Sequence, residues 1–225
     1  MSKVKAVIFD AYGTLFDVNS AAEKCKNQIG DKWEGFANYW RTTQLEYTWL
    51  RSLMKRHKDF WKITEDSLDK SMKAFNINQN MKEELLSLYK KLSTFPEVND
   101  TLKQLKNKNL KLAILSNGSP DLLDELVNSN NLIEIFDDLF SIEEVKIYKP
   151  DNKVYEIPIH RYKIKPEEIV FLSSNTWDVS GGGNYGYQSV WVNRNNNIFD
   201  NLDYKPKHEI KNLKQLLDII YYLTI

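Results

Sequence analysis

The stretch Val4-Lys5-Ala6-Val7-Ile8-Phe9-Asp10-Ala11-Tyr12-Gly13-Thr14-Leu15-Phe16-Asp17 constrains the chain more than any other. Its apolar run, rich in β-branched residues, predicts a strand buried on both faces. The run stops at a carboxylate and a glycine-containing turn. In open parallel α/β sheets, ligands sit just beyond the carboxyl ends of the strands, which is where Asp10 falls. An aspartate after a strand is also an ordinary turn or cap residue, so this stretch alone leaves both readings open.

After Asp17 the pattern turns helical. Asp31 is placed to cap a helix in which Trp33, Phe36, Ala37, Trp40, Tyr47, Leu50 and Met54 recur at helical offsets. Asn19 or Ser20 is placed to cap a shorter helix before Gly30. Two further amphipathic patterns run from Thr64 to Phe75 and from Met81 to Leu92. Together they predict a bundle of about four helices, closed at Phe95-Pro96 because proline disfavours helix in the residue before it.

From Pro96 helices and strands alternate. Helices are predicted at Glu97 to Lys106, Asp121 to Asn128 and Leu213 to Leu223, with another after Lys149-Pro150-Asp151 that Pro158 should kink near Tyr155. Strands are predicted at Leu110 to Leu115, Leu139 to Ser141, Glu168 to Leu172 and Gln188 to Val192, the last closing the sheet. Asn193 to Asn197 reads as an exposed loop. This alternation predicts an α/β fold, a doubly wound parallel-sheet (Rossmann-like) core with an inserted helical-bundle cap. Residues 1–16 and 95–225 form the core, and 17–94 the cap, inserted after the first strand and lying over the carboxyl edge.

Composition limits the partners. The 31 basic and 31 acidic side chains cancel, giving no electrostatic footprint for nucleic acid or an anionic membrane. No apolar run approaches the roughly 20 residues that cross a bilayer. The single cysteine, Cys25, excludes an intrachain disulfide, and a strand starting at Val4 leaves no room for a signal peptide. A cytoplasmic protein is expected.

Three predicted strands end in polar groups: Asp10 and Thr14; Ser116 and Asn117; Ser173, Asn175 and Asp178. Lys149 lies in a loop of the same half. If the strands are parallel, all converge on one edge. Separately these are common turn residues; together they supply a nucleophile, a cation and a second carboxylate. None of the three histidines (His57, His160, His208) falls in a motif, which argues against a histidine-dependent hydrolase.

With these residues the chain resembles the haloacid dehalogenase superfamily, and within it the L-2-haloacid dehalogenases. The resemblance rests on Phe9 to Asp17, Leu115-Ser116-Asn117-Gly118-Ser119-Pro120, Tyr148-Lys149-Pro150-Asp151, and Ser173-Ser174-Asn175 through Asp178. Arg41 and Gln44 to Met54 look like the matching cap segment. Phosphatase relatives typically carry a second aspartate two residues after the nucleophile, and carboxylates for Mg²⁺. Here that second position is Tyr12, and Ser173 and Asn175 stand where acidic pairs would be wanted. No metal and no cofactor are expected.

The resemblance implies that Asp10 displaces halide from C2 of a 2-haloalkanoate and that water then cleaves the resulting ester. An L-haloacid would give a D-hydroxyacid. Lys149 would balance the charge of the carboxylate. Arg41 and Asn117 would face the halide, with Trp177 as a polarisable ring edge. Ser116 and the backbone N–H groups after Asp10, at Ala11 and Tyr12, would bind the substrate carboxylate. Asp178, oriented by Ser173 and Asn175, would activate water or else only position Lys149. Thr14 and Tyr155 would be positioning hydroxyls. Tyr12, Leu45, Phe60 and Trp177 would enclose the alkyl tail. The other cap aromatics, Trp33, Phe36, Trp40, Tyr47 and Trp49, read as bundle core or dimer surface, and a homodimer through the cap helices is expected. The alternatives are a Mg²⁺-dependent phosphohydrolase of the same superfamily and a non-catalytic carboxylate-binding module.

Overall fold

The computed structural model describes residues 3–224. Residues 1, 2 and 225, at the ends of the two core ranges expected above, lie outside the described residues. The chain opens with strand β1 (Ala6–Phe9), followed by helices α1 (Ser20–Lys24), α2 (Lys26–Ile29), α3 (Trp33–Leu53), α4 (Phe60–Phe75) and α5 (Lys82–Tyr89). Then come α6 (Val98–Lys106), β2 (Lys111–Ser116), α7 (Pro120–Ser129), β3 (Asp138–Ser141) and α8 (Asn152–Tyr162). The chain closes with β4 (Ile169–Ser173), α9 (Thr176–Tyr185), β5 (Gln188–Val192), β6 (His208–Ile210) and α10 (Leu216–Thr224).

The six strands form one sheet in the order β3-β2-β1-β4-β5-β6, every pair parallel. β1 lies between β2 and β4, and all four of its residues are buried. The chain winds outward from β1 to β3, then returns across to β4. The carboxyl ends of β1 and β4 therefore flank the point where the winding reverses, where such sheets bind ligands. Phe9 is in register with Leu172, and the Asp10 N–H extends the ladder to the Leu172 carbonyl at 2.8 Å. That register sets Asp10 beside Ser173.

The five helices α1 to α5 leave the sheet after β1 and return before α6. The two connections lie side by side: Asp17 N–H donates to the Ser93 carbonyl (2.8 Å) and Phe95 N–H to that of Leu15 (3.1 Å). Phe16 and Thr94 form an antiparallel bridge between them.

Several expectations need correction. Gln188 to Val192 does not close the sheet; β6 adds an edge strand. Asp31 does not cap α3, because it lies inside a 3-10 turn at Gly30–Lys32 and no side chain caps that helix. Asn19 stands at the start of α1 without a side-chain cap bond; the Asp17 carboxylate instead accepts from the Asn19 N–H, and the Asp17 backbone carbonyl from the Ser20 hydroxyl. Leu50 on α3 and Met54 just past its end are exposed, and the buried seam passes from Trp40 to Thr43, Gln44 and Thr48. α4 meets that seam with Thr64, Ser67 and Ser71, whose hydroxyls bond to their own helix's carbonyls.

Candidate active site

The turn after β1 is built to aim one carboxylate. The Ala11 carbonyl accepts from the N–H groups of Thr14, Leu15 and Phe16. Gly13 has φ +89°, a left-handed conformation that favours glycine, and a Cβ there would stand 3.0 Å from the Ser174 hydroxyl. The turn brings Thr14 back over Asp10. Thr14 Oγ1 donates to Asp10 Oδ2 at 2.9 Å and accepts from the Ser174 N–H at 2.9 Å. Asn175 Nδ2 donates to the same oxygen at 3.0 Å, and Ser173 Oγ lies 3.5 Å away. Asp10 Oδ1 accepts from Lys149 Nζ at 3.2 Å.

Lys149 is wholly buried, and its ammonium also donates to Asp178 Oδ2 at 2.9 Å. Asp178 stands in the first turn of α9, and Tyr155 Oη donates to its Oδ1 at 2.8 Å. Burial pushes the Asp178 carboxyl up to about 6; the Lys149 ammonium opposes that and the Asp10 charge adds to it. Burial, then the Asp178 charge, pushes the Tyr155 hydroxyl well above its ordinary value, so it stays a neutral donor.

One expectation is overturned here. Ser173 and Asn175 bond to Asp10, not to Asp178; Asp178 is held by Lys149 and Tyr155. The reason is register: the end of β4 lies beside the end of β1, while Asp178 is carried away on the following helix.

Around this centre, Asn117 Oδ1 accepts from the Lys149 backbone N–H at 3.1 Å. Ser116, the last residue of β2, accepts from the Gly118 N–H through its hydroxyl at 3.0 Å. Arg41, on α3, donates through Nη1 to Gln44 Oε1 (2.9 Å) and through Nη2 to the Tyr12 carbonyl (3.4 Å). The Tyr12 ring packs on Phe60 and stacks on Tyr89, with centroids 5.1 Å and 5.8 Å away. A Cβ at Gly118 would lie 3.0 Å from the Tyr12 ring and hydroxyl, which explains a glycine there. Leu45 is half-buried one turn beyond Arg41. Trp177 meets Trp49 edge to face at 5.4 Å, so Trp49 packs against α9 and not only within the bundle.

The structure thus gathers Asp10, Thr14, Lys149, Tyr155, Ser173, Asn175 and Asp178 into one hydrogen-bonded cluster, and joins Arg41 to it through the Tyr12 carbonyl. Ser174, Gln44, Thr64, Tyr89 and Arg194 are the residues that sequence reasoning missed. Arg194 lies over the Phe95 ring at 3.8 Å, pairs with Glu97 at 2.6 Å and donates to the Thr14 carbonyl at 2.9 Å. The segment read as an exposed loop is therefore anchored at the turn that follows β1. Asn193 is also buried and accepts from the Asn197 N–H at 2.8 Å. Among the described residues, no three or more His, Cys, Asp or Glu side chains are grouped to hold a metal ion. No helix among them is long and apolar enough to cross a membrane.

The chain belongs to the haloacid dehalogenase-like hydrolase family, whose model matches residues 4–186. It is 39% identical to (S)-2-haloacid dehalogenase 1 of Pseudomonas sp. strain CBS-3, over 100% of both chains. Among solved structures it is similar to a dehalogenase at 35% identity and a TM-score of 0.95, covering 97% of this chain and 98% of that one. It is similar also to the L-2-haloacid dehalogenase of Xanthobacter autotrophicus, solved with chloropropionic acid covalently bound. That match has 30% identity and a TM-score of 0.90, covering 97% of this chain and 98% of the other.

Proposed function

We propose that the chain is an (S)-2-haloacid dehalogenase, converting L-2-haloalkanoic acids to D-2-hydroxyalkanoic acids without a metal ion. The observation that carries this reading is the Lys149 ammonium standing between two carboxylates, 3.2 Å from Asp10 and 2.9 Å from Asp178. A metal ion bridging the same two carboxylates would have to displace a wholly buried ammonium. Tyr12 stands where a phosphatase would want a second acid. The full-length similarity to haloacid dehalogenases supports the same conclusion.

In the first step Asp10 attacks C2 from behind the carbon–halogen bond. Oδ1 is the attacking atom, because Oδ2 accepts from both Thr14 and Asn175 while Oδ1 meets the Lys149 ammonium alone. The Oδ1–C2 bond forms, the halide leaves with the electron pair, and C2 inverts. Arg41, Asn117 and Trp177 face the departing halide. Ser116 and the N–H groups of Ala11 and Tyr12 hold the substrate carboxylate, while Leu45, Phe60 and the Tyr12 ring enclose the alkyl tail.

In the second step water attacks Cγ of Asp10, the Cγ–Oδ1 bond breaks, and the departing alkoxide takes up the proton that Asp178 removed from water, giving the hydroxyacid. Charge then develops on Oδ2, which faces donors fixed in advance on Thr14 and Asn175, with Ser173 at the edge of reach. Asp178 takes the proton from water; its raised carboxyl suits a base working near neutral pH. Residues 17–94 act as the cap that closes the site. The exposed Leu50, Leu53 and Met54 near the end of α3 support pairing of two copies through these helices.

The test is halide release from L-2-chloropropionate, against its D enantiomer, in excess EDTA. Turnover of the L form is expected; hydrolysis of phosphate esters alone, and only with Mg²⁺, would overturn the reading. In a single turnover in H₂¹⁸O with excess enzyme, the product should carry unlabelled oxygen, since that oxygen comes from Asp10. Labelled product would mean direct attack by water.

A further inference from the structure

Behind Arg41 lies a polar group in an otherwise aromatic surround. Gln44, Thr64 and Tyr89 are all buried, among Tyr12, Trp40 and Phe60. Burying an amide and two hydroxyls is costly unless every polar atom is partnered. Here they partner one another and Arg41. Thr64 Oγ1 donates to the Phe60 carbonyl at 2.8 Å, so its proton is committed and its oxygen is left to accept. Gln44 Nε2 donates to that oxygen at 2.7 Å and lies 3.0 Å from Tyr89 Oη. The Gln44 amide is thereby oriented with Oε1 toward Arg41, where it accepts from Nη1 at 2.9 Å and also lies 3.2 Å from Tyr89 Oη.

The bonds run in one direction, from the Arg41 guanidinium to the Gln44 carbonyl, from the Gln44 amide to Thr64, and from Thr64 to the α4 backbone. A second anchor, the Tyr12 carbonyl, accepts from Nη2 and belongs to the turn that carries Asp10. An arginine side chain carries about 2 kcal/mol of rotamer entropy that something must restrain for the guanidinium to hold one place. The Tyr89 ring, stacked on Tyr12 with the planes 15° apart, fixes the depth at which its hydroxyl meets Gln44.

We infer that Gln44, oriented by Thr64 and Tyr89, is a positioning residue that holds the Arg41 guanidinium where the halide departs. The inference rests on the dehalogenase reading above. It acts on the displacement step, in which the Asp10–C2 bond forms as the carbon–halogen bond breaks. Chloride leaves less readily than bromide, so a guanidinium out of place slows chlorinated substrates more than brominated ones. A loss of general packing slows both alike.

The test measures kcat/KM, which reports the steps up to halide loss, for L-2-chloropropionate and L-2-bromopropionate. It compares the wild type with Gln44→Met and Tyr89→Phe. Gln44→Met keeps length and loses the amide; Tyr89→Phe keeps the stacked ring and loses only the hydroxyl. For Gln44→Met the chlorinated substrate is expected to fall roughly 10–100-fold. The brominated one falls less, so the bromide-to-chloride ratio rises. Tyr89→Phe moves the ratio the same way by a smaller factor, and decides the matter alone if Gln44→Met does not fold. An unchanged ratio in the folded variants overturns the positioning role while leaving the dehalogenase reading intact. A wild type that releases neither halide overturns both.

Discussion

Replacing Tyr155 by phenylalanine removes one hydroxyl from the hydrogen-bonded centre and leaves its ring in place. That ring packs edge to face on Phe171 and Tyr187, with centroids 5.9 Å and 6.0 Å away, so the fold should tolerate the change. What is lost is a buried donor at 2.8 Å to Asp178 Oδ1. A hydrogen bond to a charged group contributes about 1.5–3 kcal/mol. Because the bond favours the ionised carboxylate, losing it raises the Asp178 carboxyl by roughly 1–2 pH units, at about 1.36 kcal/mol per unit. Starting from about 6, the acid limb of ester hydrolysis should move to roughly pH 7–8. The sign follows from the proposed role: a base takes a proton from water only when ionised, so activity should rise as pH passes the Asp178 titration point. The assay is a single-turnover pH profile of product release after the halide burst, between pH 5 and 9. An acid limb left unmoved in Tyr155→Phe, with the rate lowered equally at every pH, would refute Asp178 as the base and leave Tyr155 a packing residue.

Other perturbations have equally definite outcomes. Asp10→Asn should fold normally by circular dichroism yet lose more than about 10³-fold in halide release, as removal of a nucleophile does. Lys149→Met leaves two buried carboxylates without their common cation and should cost about 3–5 kcal/mol. Thermal melts should show part of that loss recovered as pH falls, since protonating the Asp178 carboxyl relieves the repulsion; a loss independent of pH would contradict the pairing. Gly181→Ala puts a Cβ 2.5 Å from Tyr155 Oη and 2.7 Å from Pro150 Cβ. It should destabilise by about 1–3 kcal/mol and lower turnover through the displaced Tyr155, checked by denaturant unfolding alongside the assay.

The parts of the fold legible from sequence were those where burial and hydrophobicity coincide. β1, β2, β4 and β5 lie inside a parallel sheet, and their continuous apolar runs follow from burial on both faces. β6 has three residues, His208, Glu209 and Ile210, of which only Ile210 is buried, so no run marks it. The seam between α3 and α4 was misread for a related reason. Thr43, Gln44 and Thr48 are buried there while Leu50 is exposed, because α4 offers small hydroxyl residues and a buried amide finds partners. Of the site, Asp10, Ser173, Asn175 and Asp178 were legible because each ends a strand or opens a helix at one edge, whereas Lys149, in a loop, and Tyr155, inside α8, were legible only through the family resemblance. Which carboxylate each one serves was not: Ser173 and Asn175 are near Asp178 in sequence but beside Asp10 in space. Arg194, in an asparagine-rich stretch, carries no local sign that its guanidinium rests on Phe95 and reaches the Thr14 carbonyl.

The paired connections at Leu15 to Asp17 and Ser93 to Phe95 have a consequence for how such a chain can change over time. From the sheet's side, everything between Asp17 and Ser93 is a hairpin loop whose two ends already hydrogen-bond to each other. Closing so long a loop, compared with a turn of about four residues, costs only about 2–3 kcal/mol of chain entropy. The helices that carry Arg41, Gln44, Leu45, Phe60 and Tyr89 are thus a replaceable cassette, while Asp10, Lys149 and Asp178 stay on a frame that need not register the exchange. A different alkyl tail would then be accommodated by rewriting Leu45 and Phe60 in the cassette, with Arg41 and the groups on the frame that hold the carboxylate kept.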